Sequence, residues 1–126
     1  MAEGSWGAIS WLTDRKPKTS NEFQNRTGLC FYFCEGKTLN RTDVPAVYAS
    51  LANTDFISLY STQQPWDDLA DSLAYFMMEQ KLNTKYIINT MQGKSYDPIA
   101  KINNPFYADK LKYLKNFLSK PNIIYP

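Results

Sequence analysis

Apolar residues recur most regularly between Phe56 and Leu82, in the stretch FISLYSTQQPWDDLADSLAYFMMEQKL. Its first five residues alternate. Phe56, Ser58 and Tyr60 fall on one side and Ile57 and Leu59 on the other, which predicts a short extended segment. A turn through Ser61-Thr62-Gln63-Gln64 then leads into the best helix of the chain. Pro65 suits its first position, where a missing N–H costs nothing. Asp67 and Asp68 fall in the first turn, where carboxylates complement the helix dipole. Trp66, Leu69, Leu73, Phe76 and Met77 follow at spacings of three and four, predicting one apolar stripe against a core. On that phasing Leu73→Ala costs about 2–5 kcal/mol, while Asp68→Ala costs less than about 1 kcal/mol.

Around this stretch the pattern is weaker. Trp6 to Trp11 is short and apolar, and the polar run Asp14 to Asn21 reads as a loop. Gly28 to Phe33 reads as a strand or a buried extended segment. Asp43 is placed to cap a helix running through Leu51, with Asn53 near its end. Lys85 to Met91 reads as a short strand, followed by Gly93 and a turn at Ser95-Tyr96-Asp97-Pro98. Asn104-Pro105 opens a last helix whose stripe is Tyr107, Leu111, Leu114 and Leu118. The expected fold is mainly α with a few short strands, in one domain over residues 1–126.

Composition narrows the function classes. Hydrophobic content of 44% with 15% aromatics argues against disorder. A formal charge of +2 makes no case for nucleic acid, and no apolar run approaches the ~20 residues that cross a bilayer. Met1 to Ser5 lacks the basic and apolar blocks of a signal peptide. Residues 101–126 carry five lysines against one aspartate, a pattern that predicts a solvated helix face. Cys30 and Cys34 in an extended run lie about 13 Å apart, beyond disulfide reach, and in a helix they come near the limit. Both are read as buried structural thiols. The chain has no histidine, which excludes a zinc site of the common Cys/His kind.

Tyr60, Asp67 and Asp71 form the one constellation with chemical potential, a phenol and two acids one turn apart, expected to converge on one side of the helix start. Read alone, the acids are helix-start residues and a solvent-facing neighbour. Ser58 or Ser61 as a nucleophile would need a base that no histidine supplies.

Ser58-Leu59-Tyr60 followed by Gln64-Pro65-Trp66-Asp67-Asp68-Leu69-Ala70-Asp71 resembles the downstream zinc-binding helix of zincin metallopeptidases. The likeness is to the anthrax lethal factor-like group and the related bacterial zinc peptidases, with Ser/Tyr ahead of Asn-Pro-x-Glu-Asp-Phe-Ala-Glu. Trp6 to Trp11 also resembles the segment that follows the zinc helix there, so the likeness spans residues 6–78. It implies Tyr60 as the oxyanion-stabilising tyrosine, Asp67 as the third zinc ligand and Asp71 as a second acid holding the site in place. It further implies zinc in the complete protein, none for this chain alone, and a secreted or periplasmic setting.

Aspartate stands at 67 where the family has glutamate, and the His-Glu-x-x-His helix is missing. The expectation is a C-terminal subdomain or fragment, inactive by itself. Its partner is the missing zinc-helix segment or a protein substrate, with no nucleic acid and no membrane. The alternative is a non-catalytic protein-interaction module that uses the basic last helix or exposed aromatics.

Overall fold

The computed structural model describes residues 1–31 and 39–120. Five α-helices and one β-hairpin follow in order: α1 (Trp6–Ser10), α2 (Val44–Ala52), α3 (Pro65–Met77), β1 (Ile88–Met91), β2 (Lys94–Tyr96), α4 (Pro98–Ile102) and α5 (Ala108–Leu118). The mainly helical expectation with a few short strands is met.

Most helix starts are explained by a proline or a capping side chain. Ser5 accepts from the Ala8 N–H at α1, and Asp97 accepts from the Ile99 and Ala100 N–H groups at 3.0 Å ahead of Pro98. Asn104 accepts from the Phe106 N–H at 2.9 Å, opening the 3-10 turn Pro105–Tyr107 that leads into α5. Asp43 does stand before α2. Its carboxylate reaches back to the Asn40 N–H at 2.8 Å and closes the 3-10 turn Arg41–Asp43 instead of capping the helix itself. Beyond Met77, α3 loosens into a π-helical turn, Met78–Leu82, which ends at Asn83 in the left-handed region (φ 46°).

Two apolar clusters make the core. Trp6, Ile57, Phe76, Ile102, Tyr107 and Leu114 join α1, α3, α4 and α5. Trp11, Leu51, Phe56 and Tyr96 join the end of α1 to α2 and the hairpin. The α5 stripe is realised, with Tyr107 and Leu114 fully buried and Leu111 and Leu118 packed at the margin.

Several local expectations fail for identifiable reasons. Residues 56–60 do not form a strand: Phe56 and Ile57 do take opposite sides, but the chain bends after them and Leu59 packs with Phe56 and not with Ile57. The segment runs between the two clusters, so adjacent side chains enter different ones. Reciprocal bonds between Ser58 and Ser61, and from Thr62 Oγ1 to the Leu59 carbonyl, fold it into the 3-10 turn Tyr60–Thr62.

The strand expected over Lys85 to Met91 begins at Ile88. Its partner, Lys94–Tyr96, lies where a turn was read. Positive φ at Met91, Gln92 and Gly93 makes the reversal, and a bulge between Asn89 and Met91 sets the register. Tyr96, a turn residue by its sequence neighbours, is core, donating its hydroxyl to the Ile57 carbonyl at 2.7 Å.

Of the strand or buried extended segment expected over Gly28 to Phe33, the described part is the end of a 3-10 turn (Arg26–Gly28) and irregular chain that is not fully buried; Tyr32 and Phe33 lie outside the described residues. Cys30 is disulfide-bonded and is not a thiol. Cys34 lies outside the described residues.

The stripe of α3 is turned from its expected phase. Pro65, Asp68, Ser72 and Phe76 point inward, Leu69 and Leu73 pack at the margin, and Trp66 and Met77 face solvent. Leu114→Ala is therefore expected to cost about 2–5 kcal/mol in denaturant unfolding, and Trp66→Ala to stay within about 0.5 kcal/mol. A larger loss for Trp66→Ala would restore the original phasing.

Candidate functional site

The first two turns of α3 carry three aspartates, and each meets a different environment. Asp68 is fully buried. Both of its oxygens lie 2.8 Å from Lys110 Nζ, and Oδ2 also accepts the indole N–H groups of Trp6 and Trp11 at 3.1 Å. The Lys110 ammonium is itself fully buried among the rings of Phe56 (4.6 Å), Trp6 (5.3 Å) and Tyr107 (5.9 Å). It also lies 3.3 Å from Asp55 Oδ1. Asp55 in turn accepts the Ser10 hydroxyl at 2.8 Å and donates its backbone N–H to Asn21 Oδ1 at 3.0 Å. One connected polar cluster thus ties α1, the 19–21 turn, residue 55, α3 and α5 together. Burial pushes the Asp68 carboxyl up to about 6, against the opposing pull of Lys110 and the Trp11 indole.

Lys110 and Lys101 correct the reading of residues 101–126 as a solvated basic face, because both lysines are buried. Lys101 donates to the Leu51 and Ala52 carbonyls at 3.1 and 2.8 Å, satisfying the end of α2. Burial lowers its ammonium to about 8. Deeper in the core Ser72 Oγ and the Tyr107 hydroxyl are both buried without a completed hydrogen bond, a local cost of the kind such groups carry.

Asp71 accepts the Ser58 hydroxyl at 2.5 Å, which fastens the turn that carries Tyr60 onto α3. From the other side Arg26 donates to the Thr62 carbonyl at 3.1 Å while paired with Glu22. The Tyr60 ring meets Phe31 edge-on at 5.2 Å. Asp67 is half-buried in the first turn of α3. At about 100° per residue, Asp67 and Asp71 lie on neighbouring lines of the helix and Asp68 about a quarter-turn away. Nearby, burial reinforced by Asp71 pushes the Tyr75 phenol up to about 12.

Sequence reading treated Asp68 as an ordinary helix-start acid and missed Asp55 and Lys110. A signal was present in the two tryptophans five residues apart, since a buried indole N–H requires an acceptor. Nothing in the spacing identified which acid would serve.

Among the described residues no group of three His, Cys, Asp or Glu side chains could hold a metal ion. A catalytic zinc centre takes three protein ligands, so the donors described here do not by themselves fit zinc. No protein-family model, curated protein or solved structure matches the chain.

Asp68→Ala should destabilise by about 3–5 kcal/mol, because it leaves Lys110 charged, buried and short of its closest counter-ion. Titration supplies a second test. The folded pKa of about 6 lies above the ordinary 3.8, so the folded chain keeps a proton that the unfolded chain has lost between those values. This carboxyl therefore contributes stability that is complete below about pH 3.8 and is withdrawn as pH rises through about 6. Denaturant midpoints of wild type against Asp68→Asn should show the difference shrinking by up to about 3 kcal/mol from pH 4 to pH 7. A difference growing with pH would reverse the assignment.

Proposed function

We propose that this chain is the C-terminal subdomain of a zinc metallopeptidase-like protein, with the imidazole ligands and general base provided by a segment outside it. In this reading Asp67 is the acid ligand, Tyr60 donates its hydroxyl to the developing oxyanion, and Asp71 holds the turn bearing Tyr60 in place. Zinc, when bound, would supply Lewis-acid activation of water and carbonyl.

The observation that carries the reading is the division of labour among three aspartates in five residues. Asp68 is consumed in the core and Asp71 is engaged by Ser58. Asp67 keeps a half-exposed carboxylate on a helix turn that its neighbour fixes in orientation. That arrangement suits a ligating acid: fixed backbone, a half-buried side chain not consumed in the core, and a supporting acid one turn away. The resemblance of residues 58–71 to the zincin motif supports the same assignment.

The chain alone should bind no stoichiometric zinc and cleave no peptide. Joined to an upstream segment carrying His-Glu-x-x-His, it should do both. Asp67→Ala in the joined protein should remove zinc and activity while leaving the fold intact, its melting temperature matching that of the metal-free parent. Full zinc content by elemental analysis in that variant would show Asp67 to be a helix-start acid only.

A further inference from the structure

The outward side of α3 is apolar, and none of the described residues covers it. Trp66 is 59% exposed and Met77 38%, and Ala70 and Ala74 between them are exposed as well. At about 100° per residue these four fall within a sector of about 80°, facing away from Asp68, Ser72 and Phe76. Two alanines one turn apart, bracketed by a tryptophan and a methionine, leave a shallow saddle along the helix. Such relief accepts the ridge of another helix at close approach.

Charge specifies what that helix must be. α3 contains three aspartates and no lysine or arginine. Asp67 and Asp71 border one side of the saddle, and the half-buried Leu69 and Leu73 border the other. A second copy of the chain is a poor occupant. An antiparallel copy places Asp67 and Asp71 beside their own counterparts, and a parallel copy lays them over the partner's Leu69 and Leu73 flank. Either arrangement leaves carboxylates without cations at a desolvated contact.

We propose that this face is the docking seat for an amphipathic helix of a protein partner, whose central stripe is apolar and whose flank over Asp67 and Asp71 is cationic. The seat rests on the exposure and charge of α3 and not on a metal role for Asp67, so either conclusion can fail without the other.

The test uses two synthetic amidated helices of about 18 residues. Both carry the same Leu/Ala stripe, one with lysines along a single flank and the other with glutamates. Binding to the full chain is followed by Trp66 fluorescence and by amide shifts. The lysine-flanked helix should bind at least about tenfold more tightly than its twin, with shifts concentrated at Trp66, Ala70, Ala74 and Met77. Ala70→Gln, which raises the saddle without adding charge, and Asp67→Lys should each weaken binding about tenfold or more while the amide spectrum shows the chain still folded; Asp67→Lys also gives up a first-turn carboxylate and lowers the melting temperature modestly. Equal affinity for both helices, binding indifferent to Ala70→Gln, or absence of binding would overturn the proposal. So would a concentration-dependent dimer that Ala70→Gln dissolves, which would put a second copy on this face.

Discussion

A single buried carboxylate holds the molecule in register. Asp68 receives an ammonium from α5 and indole N–H groups from either end of α1, so two distant stretches of chain converge on two oxygen atoms of α3. Burying such a pair is costly, because each ion gives up its water. Here the cost is offset locally. Both indoles donate to Oδ2 of Asp68, and three aromatic rings face the Lys110 ammonium. Hydrophobic burial would hold α1, α3 and α5 together in many rotations. The carboxylate, with its donors fixed on two other elements, selects one.

That selection explains where sequence reading succeeded and where it failed. Elements set by local chemistry were legible: the prolines at 65 and 105, Asn53 at the end of α2, and the α5 stripe of Tyr107, Leu111, Leu114 and Leu118. Features set by long-range partners were not. An aspartate three residues after a helix-opening proline looks like a dipole acid, and only the distant Lys110 and tryptophans make it core. The same blindness placed Trp66 and Met77 inside, since an apolar periodicity does not reveal that a polar residue will claim the inward direction. The short strand Lys94–Tyr96 was hidden by turn-prone composition, and the bend in 56–60 by serine and threonine side chains that bond the backbone and bring Leu59 to the side of Phe56.

The candidate site shows the same split. The spacing of Tyr60, Asp67 and Asp71 was readable, but the supports behind them were not. Ser58 appeared as a poor nucleophile, yet its hydroxyl bridges Asp71 to the turn that begins at Tyr60. Arg26, remote in sequence, fastens the same turn from behind through the Thr62 carbonyl. A functional side chain can be guessed from a motif. Its rigidity depends on contacts that only the folded chain discloses.

The rotation of α3 finally connects stability to surface. With Asp68 pointing inward, helical geometry leaves no freedom for the residues around it: Trp66, Ala70, Ala74 and Met77 must face out, with Asp67 and Asp71 along their edge. Had the apolar stripe faced the core as composition alone suggests, Trp66 and Met77 would be spent on packing and Asp68 would stand in water beside Asp67. The buried ion pair thus does two things with one choice of phase. It withdraws one acid from solvent, and it turns outward an apolar saddle edged by the other two.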